Sequence, residues 1–312
     1  MSESLGGQTV ATGLHDALVQ QYRERGYLCP LPVFSLEEAA ELRGLLEQAE
    51  SSSGGRLSKI ELNKTYLIQE WADRIVHHPA VLDAVESLIG PDILCYMTNL
   101  FIKEPGTGNF VSMHQDAAYW GVDADDVVTA WVALSVSDEQ SGCMKVIPGT
   151  HTRDFRQENT YDKDNLLTRG QTIAEALDDS QSVFMALQPG EMSLHHFRIV
   201  HGSEPNRAED RRIGLAIRYV SAKGKKIGQP ESALLVRGQS YGHFIEEKRW
   251  TTLSSTERKL QHNQALSRQI RNLFEPDEDT ALGERLRLRV MKTVFMFYGS
   301  LRGFGIRLGL VR

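Results

Sequence analysis

Apolar residues recur at helical spacing near the start of the chain and at strand spacing in its middle. Leu14, Leu18 and Tyr22 stand four apart and predict a helix from Gly13 to Gly26, where glycine supplies the left-handed closing residue. Tyr27 to Phe34 is apolar but carries two prolines, so it reads as an irregular edge strand. Ser35 with Glu38 three residues on is a capping box, and Leu42, Leu45 and Leu46 form the apolar face of the helix it starts. His78 to Ile89 predicts a further helix, with Pro79 in its first turn and Gly90-Pro91 at its end. From about Ile93 the texture changes. Ile93–Lys103, Asn109–His114, Val127–Ser135, Met144–Ile147, Val183–Leu187, Glu191–His195 and Gly214–Ser221 are short runs, most of them rich in β-branched or aromatic residues. Such a series predicts a sandwich or barrel. Thr152 to Ser182 interrupts it as a polar insertion too long for a simple connector, the kind of segment that forms lids and binding loops.

The tail has a different pattern. Ser254 to Phe274 reads as a charged helix, and residues 275–280 as an acidic turn. Leu286, Val290, Val294, Phe297, Leu301, Phe304 and Leu308 then form a helical apolar stripe. Gly299, Gly303, Gly305 and Gly309 weigh against an unbroken helix there. From Arg285 to Arg312 there are seven basic residues and no acidic ones. A stripe of this kind more often packs on the domain or on a second subunit; a basic amphipathic helix also fits an anionic membrane surface.

Composition sets the class. With 312 residues, 41% hydrophobic and 24% charged, the chain has a globular make-up rather than a disordered or fibrous one. A net charge of −6 argues against a chain-wide nucleic-acid footprint. Cys29, Cys95 and Cys143 are odd in number and widely spaced, which excludes a disulfide framework and a CxxC zinc site. No leader pattern stands in the first twelve residues, and no run approaches the ~18 apolar residues of a spanning helix. A cytoplasmic protein is expected.

The chemistry lies in His114-Gln115-Asp116 and in His201 further along. In a strand, residues i and i+2 share a face, so His114 and Asp116 can offer an imidazole and a carboxylate to one ion. His201 on a returning strand would complete two histidines and a carboxylate, the facial triad of non-haem iron(II) oxygenases, which leaves positions open for co-substrate and dioxygen. His195 and His196 compete for the distal position. Arg212 follows His201 in a fresh strand pattern and suits the far carboxylate of 2-oxoglutarate, because a guanidinium matches a carboxylate bidentately. Ser203 can add a hydroxyl donor to the same group. Arg211 is the adjacent alternative, and alternation allows only one of the two to face inward. Six basic residues, Lys103, Arg153, Arg156, Lys163, Arg169 and Arg198, could bind an anionic substrate, but scattered basic residues more often read as solvated surface. Tyr119 and Trp120 are candidates to contact substrate.

The blocks KEPGTGNFVSMHQDAAYW, VVTAWVALSVSDEQSGCMKVIPGTH and HGSEPN…RRIGLAIRY resemble the phytanoyl-CoA dioxygenase family of Fe(II)- and 2-oxoglutarate-dependent oxygenases, and the resemblance runs from about Leu14 to Ala222. It implies a mainly β fold with flanking helices around a double-stranded β-helix (jelly-roll, cupin-like) core. It also implies His114, Asp116 and His201 on iron, Arg212 on 2-oxoglutarate, and Thr129 or Trp131 with Asn99 lining the co-substrate pocket. Pro148, Gly149 and His151 fall in the family's signature turn, whose role is read as structural. Related halogenases carry a small residue in place of the carboxylate, so Asp116 favours hydroxylation. The expected organisation is a dioxygenase domain over 1–222, with the jelly roll from about 93, and a helical extension over 223–312. The expected activity is hydroxylation of a lipid-like or natural-product small molecule with release of succinate and CO2, using Fe(II), 2-oxoglutarate and O2. A zinc hydrolase on the same ligands and a non-catalytic jelly-roll binding protein are the rival readings.

Overall fold

A computed structural model describes residues 13–117, 121–123, 126–275 and 280–308. Helix α1 (Asp16–Arg25) leads into strand β1 (Tyr27–Pro32), followed by helices α2 (Leu36–Ser52), α3 (Glu70–Val76) and α4 (Pro79–Ile89). The β region comprises β2 (Ile93–Lys103), β3 (Val111–His114), β4 (Val122–Asp123), β5 (Val127–Ala133), β6 (Met144–Ile147), β7 (Gln157–Asn159), β8 (Gln171–Ile173), β9 (Val183–Phe184), β10 (Glu191–His196), β11 (Val200–Ser203), β12 (Arg212–Ser221), β13 (Lys225–Lys226), β14 (Ser232–Arg237) and β15 (Ile245–Glu246). Helices α5 (Ser255–Leu273) and α6 (Leu282–Arg307) close the chain.

The expected helix signals act as read. Gly26 closes α1 at φ +81°, and Ser35 and Glu38 form a reciprocal capping box on α2. Helix α3 carried no clear signal, because seven residues are too few to display a helical period.

Two sheets form the jelly roll. A seven-stranded sheet runs β1-β10-β5-β12-β2-β14-β15, and a four-stranded sheet runs β3-β11-β6-β9. Strand β12 shows how the layers are built, since all ten of its residues are buried. Ile213, Leu215, Ile217 and Tyr219 pack in one core with Leu42, Leu46, Trp71, Ile75 and Val85 of the helices. The alternate residues Arg212, Ala216 and Arg218 line the pocket between the sheets. Tyr27, Trp131 and Ala216 of the large sheet and Met144 and Val146 of the small one form the core beside that pocket. Period-two alternation thus separates helix-facing hydrophobes from site-facing polar groups on one strand.

The sheet does not stop at residue 222, where the extension was expected to begin. Strand β14 pairs antiparallel with β2, and β15 pairs parallel with β14. The unanticipated link is a buried ion pair. Lys64 Nζ donates to Glu247 Oε1 at 2.5 Å, Tyr66 Oη to Glu247 Oε2 at 2.5 Å, and Ser232 Oγ to Glu247 Oε1 at 2.7 Å. Breaking a buried pair on one side strands the other charge. Glu247→Gln is therefore expected to cost about 3–5 kcal/mol of stability, read from urea unfolding; a loss below ~1 kcal/mol, the range of an exposed pair, would show that Lys64 does not need this partner.

Candidate active site

Strand β11 lies antiparallel to β3, with His201 directly opposite His114 and their ring centroids 4.2 Å apart. The second histidine thus comes from the neighbouring strand. Each Nδ1 sits near the carbonyl two residues earlier, His114 at 2.9 Å from Ser112 O and His201 at 3.0 Å from Ile199 O. Those contacts place the proton on Nδ1 and leave Nε2 as the lone-pair donor, as a histidine that binds a metal requires. Asp116 Oδ1 lies 3.4 Å from His114 Nε2, and one ligand atom from each of the three residues lies within 4.8 Å of the others.

Asp116 reaches this position from a turn. Strand β3 ends at His114, and Gln115 leaves the ladder for side-chain partners: its N–H donates to Gln157 Oε1 at 3.1 Å, and its carbonyl accepts from Gln157 Nε2 at 3.1 Å. Gln115 Nε2 donates to Arg153 O at 2.9 Å and to Arg198 O, and Gln115 Oε1 accepts from Phe155 N–H at 2.8 Å. The middle residue of the motif therefore ties the metal turn to the start of the Thr152–Ser182 insertion, a role its sequence position did not announce.

The protonation states suit a divalent cation. Burial would raise the Asp116 pKa, but Arg218 and the His114 hydrogen bond hold it below the usual carboxylate range. Burial, reinforced by His114 and opposed by Asp116, pulls His201 down to about 4. An ionised carboxylate and a neutral imidazole are the forms that ligate. Asp116 Oδ2 is buried without a hydrogen-bond partner, with Arg218 Nε at 3.8 Å. Such an acceptor is costly unless something satisfies it, and a cation does.

A pocket that opens to solvent surrounds this cluster. Thr129, Trp131, Ser203 and Arg212 all line it. Arg212 is buried, donates from Nη1 to Gly142 O at 2.6 Å and lies 5.2 Å from the Trp131 ring centre, while its Nε has no hydrogen-bond partner. Burial draws its pKa down to about 10. Gly214 makes room for the Trp131 ring, since a Cβ there would lie 1.9 Å from ring carbon Cζ2. Asn99 does not line the pocket. Its Nδ2 donates to Asn63 Oδ1 and its Oδ1 accepts from Arg218 Nη1, so it reaches the site only through Arg218. Tyr119 and Trp120 lie outside the described residues.

The structure also settles the open alternatives in placement. Arg211 points to the helix side, paired with Glu50 at 2.6 Å and Glu104 at 2.7 Å. His196 sits against His151 and Tyr22, away from the cluster. His195 does line the pocket, 4.9 Å from the His201 ring, and burial pulls its pKa well down. In the signature turn, His151 Nε2 lies 3.0 Å from Arg23 O and the ring packs on Gly26.

Two cations were missed. Arg218 shares the inward parity of Arg212, six residues on, so alternation alone was signal enough. Lys103, read as surface, is buried opposite Arg212 and donates to Ser203 Oγ at 2.7 Å. Burial, then Arg212, draws its pKa to about 6.

The family model for phytanoyl-CoA dioxygenase matches residues 22–214. The chain belongs to the phytanoyl-CoA dioxygenase family. This is a family of Fe(II)- and 2-oxoglutarate-dependent dioxygenases. A solved structure of the non-heme monooxygenase ThoJ in its apo form is 33% identical, with a TM-score of 0.73 over 82% of this chain and 97% of its own. A probable alpha-ketoglutarate-dependent hypophosphite dioxygenase of Stutzerimonas stutzeri is 27% identical over 65% of this chain and 77% of its own length. The peroxisomal phytanoyl-CoA dioxygenase of Rattus norvegicus is 30% identical over 54% of this chain, a match spanning 49% of that relative.

Proposed function

We propose that the chain hydroxylates an unactivated C–H bond of a small lipid-like or natural-product molecule, coupled to conversion of 2-oxoglutarate and O2 into succinate and CO2. The observation that carries this reading is the joint presence, around one pocket, of a buried His114–Asp116–His201 donor set and the buried Arg212 guanidinium. A hydrolytic metal site would leave Arg212 without a task, whereas a 2-oxoglutarate site requires a fixed cation.

In this reading His114, Asp116 and His201 hold the iron, and Arg212, with Ser203 beside it, anchors the far carboxylate of 2-oxoglutarate. Bound iron and 2-oxoglutarate supply the oxidising power for C–H hydroxylation. The protein's task is position and exclusion of water. Thr129, with a buried hydroxyl lacking a hydrogen-bond partner, and Trp131 shape the co-substrate wall. Phe101, Val111 and Met144 add apolar surface suited to a lipid-like or natural-product substrate. Gln115 couples the metal turn to the insertion, which acts as the lid. Asp116 would supply the carboxylate that related halogenases replace with a small residue, which favours hydroxylation over halogenation. The relatives named above act, by their names, on phytanoyl-CoA and hypophosphite, so the substrate must be found directly.

The test incubates the Fe(II)-loaded protein with 2-oxoglutarate and pools of candidate small molecules in air. Oxygen uptake and succinate formation that require 2-oxoglutarate, with a product heavier by one oxygen atom, are expected. Substrate turnover that proceeds with zinc and without 2-oxoglutarate would overturn the reading.

A further inference from the structure

Helix α6 turns the wrong face outward for a water-soluble element. The seven stripe residues from Leu286 to Leu308 are 55–65% exposed. The packed residues are Leu288, Gly305 and Ile306, and at 3.6 residues per turn Leu288 and Ile306 lie about 165° from the middle of the stripe. The other face is well seated. Phe274 of the preceding turn stacks on Phe295 at 5.4 Å, Asn263 Nδ2 of α5 donates to Gly299 O at 3.0 Å, and a Cβ at Gly303 would lie 3.0 Å from Asn263 Nδ2. Gly299 and Gly303, two of the glycines expected to weaken the helix, instead lie against Ser267 and Asn263 of α5, while Gly309 lies outside the described residues. At the other end, Glu284 accepts from Asn159 Nδ2 at 3.0 Å and from Tyr161 Oη, pinning α6 to the insertion.

We propose that this face lies in the surface of an anionic lipid membrane. A contiguous exposed apolar face of this length calls for a covering partner, and the charge of the segment says which. Arg289 and Arg307 are exposed and stand in line along one edge of the stripe, about 95° from its middle, where lipid headgroups would sit. The one acidic residue of the helix, Glu284, is engaged with the insertion. Two copies apposed through this face would bring two basic helices together, whereas acidic headgroups complement them. No described helix is long and apolar enough to cross a membrane, so α6 lies along the surface.

The experiment is flotation of the full chain with vesicles of mixed phosphatidylglycerol and phosphatidylcholine, or of phosphatidylcholine alone. Sedimentation of the lipid-free protein is run beside it. Co-flotation with the anionic vesicles, weakened by salt and by neutral lipid, is expected. Arg289→Glu with Arg307→Glu should weaken it at least about 25-fold, at about fivefold for each charge lost near the surface. Val294→Glu with Phe297→Glu should abolish it, with both variants remaining folded by circular dichroism. The proposal is overturned if the wild type stays with the lipid-free fraction or if the double variants float as it does. It is also overturned if the lipid-free chain sediments as a dimer that Val294→Glu with Phe297→Glu makes monomeric, because the face would then belong to a second copy.

Discussion

Asp116→Ala is expected to lower 2-oxoglutarate turnover by about three orders of magnitude or more, equivalent to about 4 kcal/mol of lost transition-state stabilisation. The carboxylate does two things here. It is the anionic member of the donor set, and it is the charge facing the buried Arg218 guanidinium, 3.8 Å away. Alanine therefore removes a ligand and leaves a buried cation without its counter-charge, a loss that costs stability as well as activity. The two effects separate by measurement. Fe(II) or Mn(II), added anaerobically, should raise the melting temperature of the wild type, since a ligand that binds only the folded state stabilises it. The variant should show a lower melting temperature and no metal-dependent rise. A folded Asp116→Ala protein that still gains stability from metal and still produces succinate would remove Asp116 from the site. His201→Ala is a parallel test from the facing strand.

The second large effect belongs to Arg212. Arg212→Met should raise the KM for 2-oxoglutarate by about two to three orders of magnitude, the range for losing one member of a buried charge pair. Metal-dependent stabilisation should be untouched, because Arg212 is not a member of the ligand cluster. Arg212→Lys keeps a charge but not the planar fork and should fall between. The adjacent residue supplies the control. Arg211 is engaged with Glu50 and Glu104 on the far side of the strand, so Arg211→Met should lower stability while leaving that KM nearly unchanged. If the two substitutions act alike on KM, Arg212 does not hold the co-substrate.

The Arg211–Arg212 pair also shows where sequence reading stops. Alternation says that neighbours on a strand face opposite ways, which is local chemistry and visible in any strand. It does not say which way is in. That depends on the helices covering one face of β12 and the small sheet covering the other. His195 and His196 pose the same question on β10. The side facing β11 brings His195 near His201, while His196 goes to the α1 side. Asn99 shares a strand face with groups that do reach the pocket, yet Arg218 stands between it and the site.

The helix caps and the succession of short strands were legible in the chain because they follow from local backbone preference, and the family blocks added the jelly roll and the grouping of His114, Asp116, His201 and Arg212. Only the tertiary structure decided that His201 pairs with His114 across adjacent strands, that Asp116 arrives on a turn held by Gln115, and that Lys103 and Arg218 are buried cations. It likewise decided that β14 extends the sheet beyond residue 222 and that the tail stripe faces outward. Each of these depends on which distant segment covers a given face, and burial is a property of that partner rather than of the residue's own neighbours in the chain.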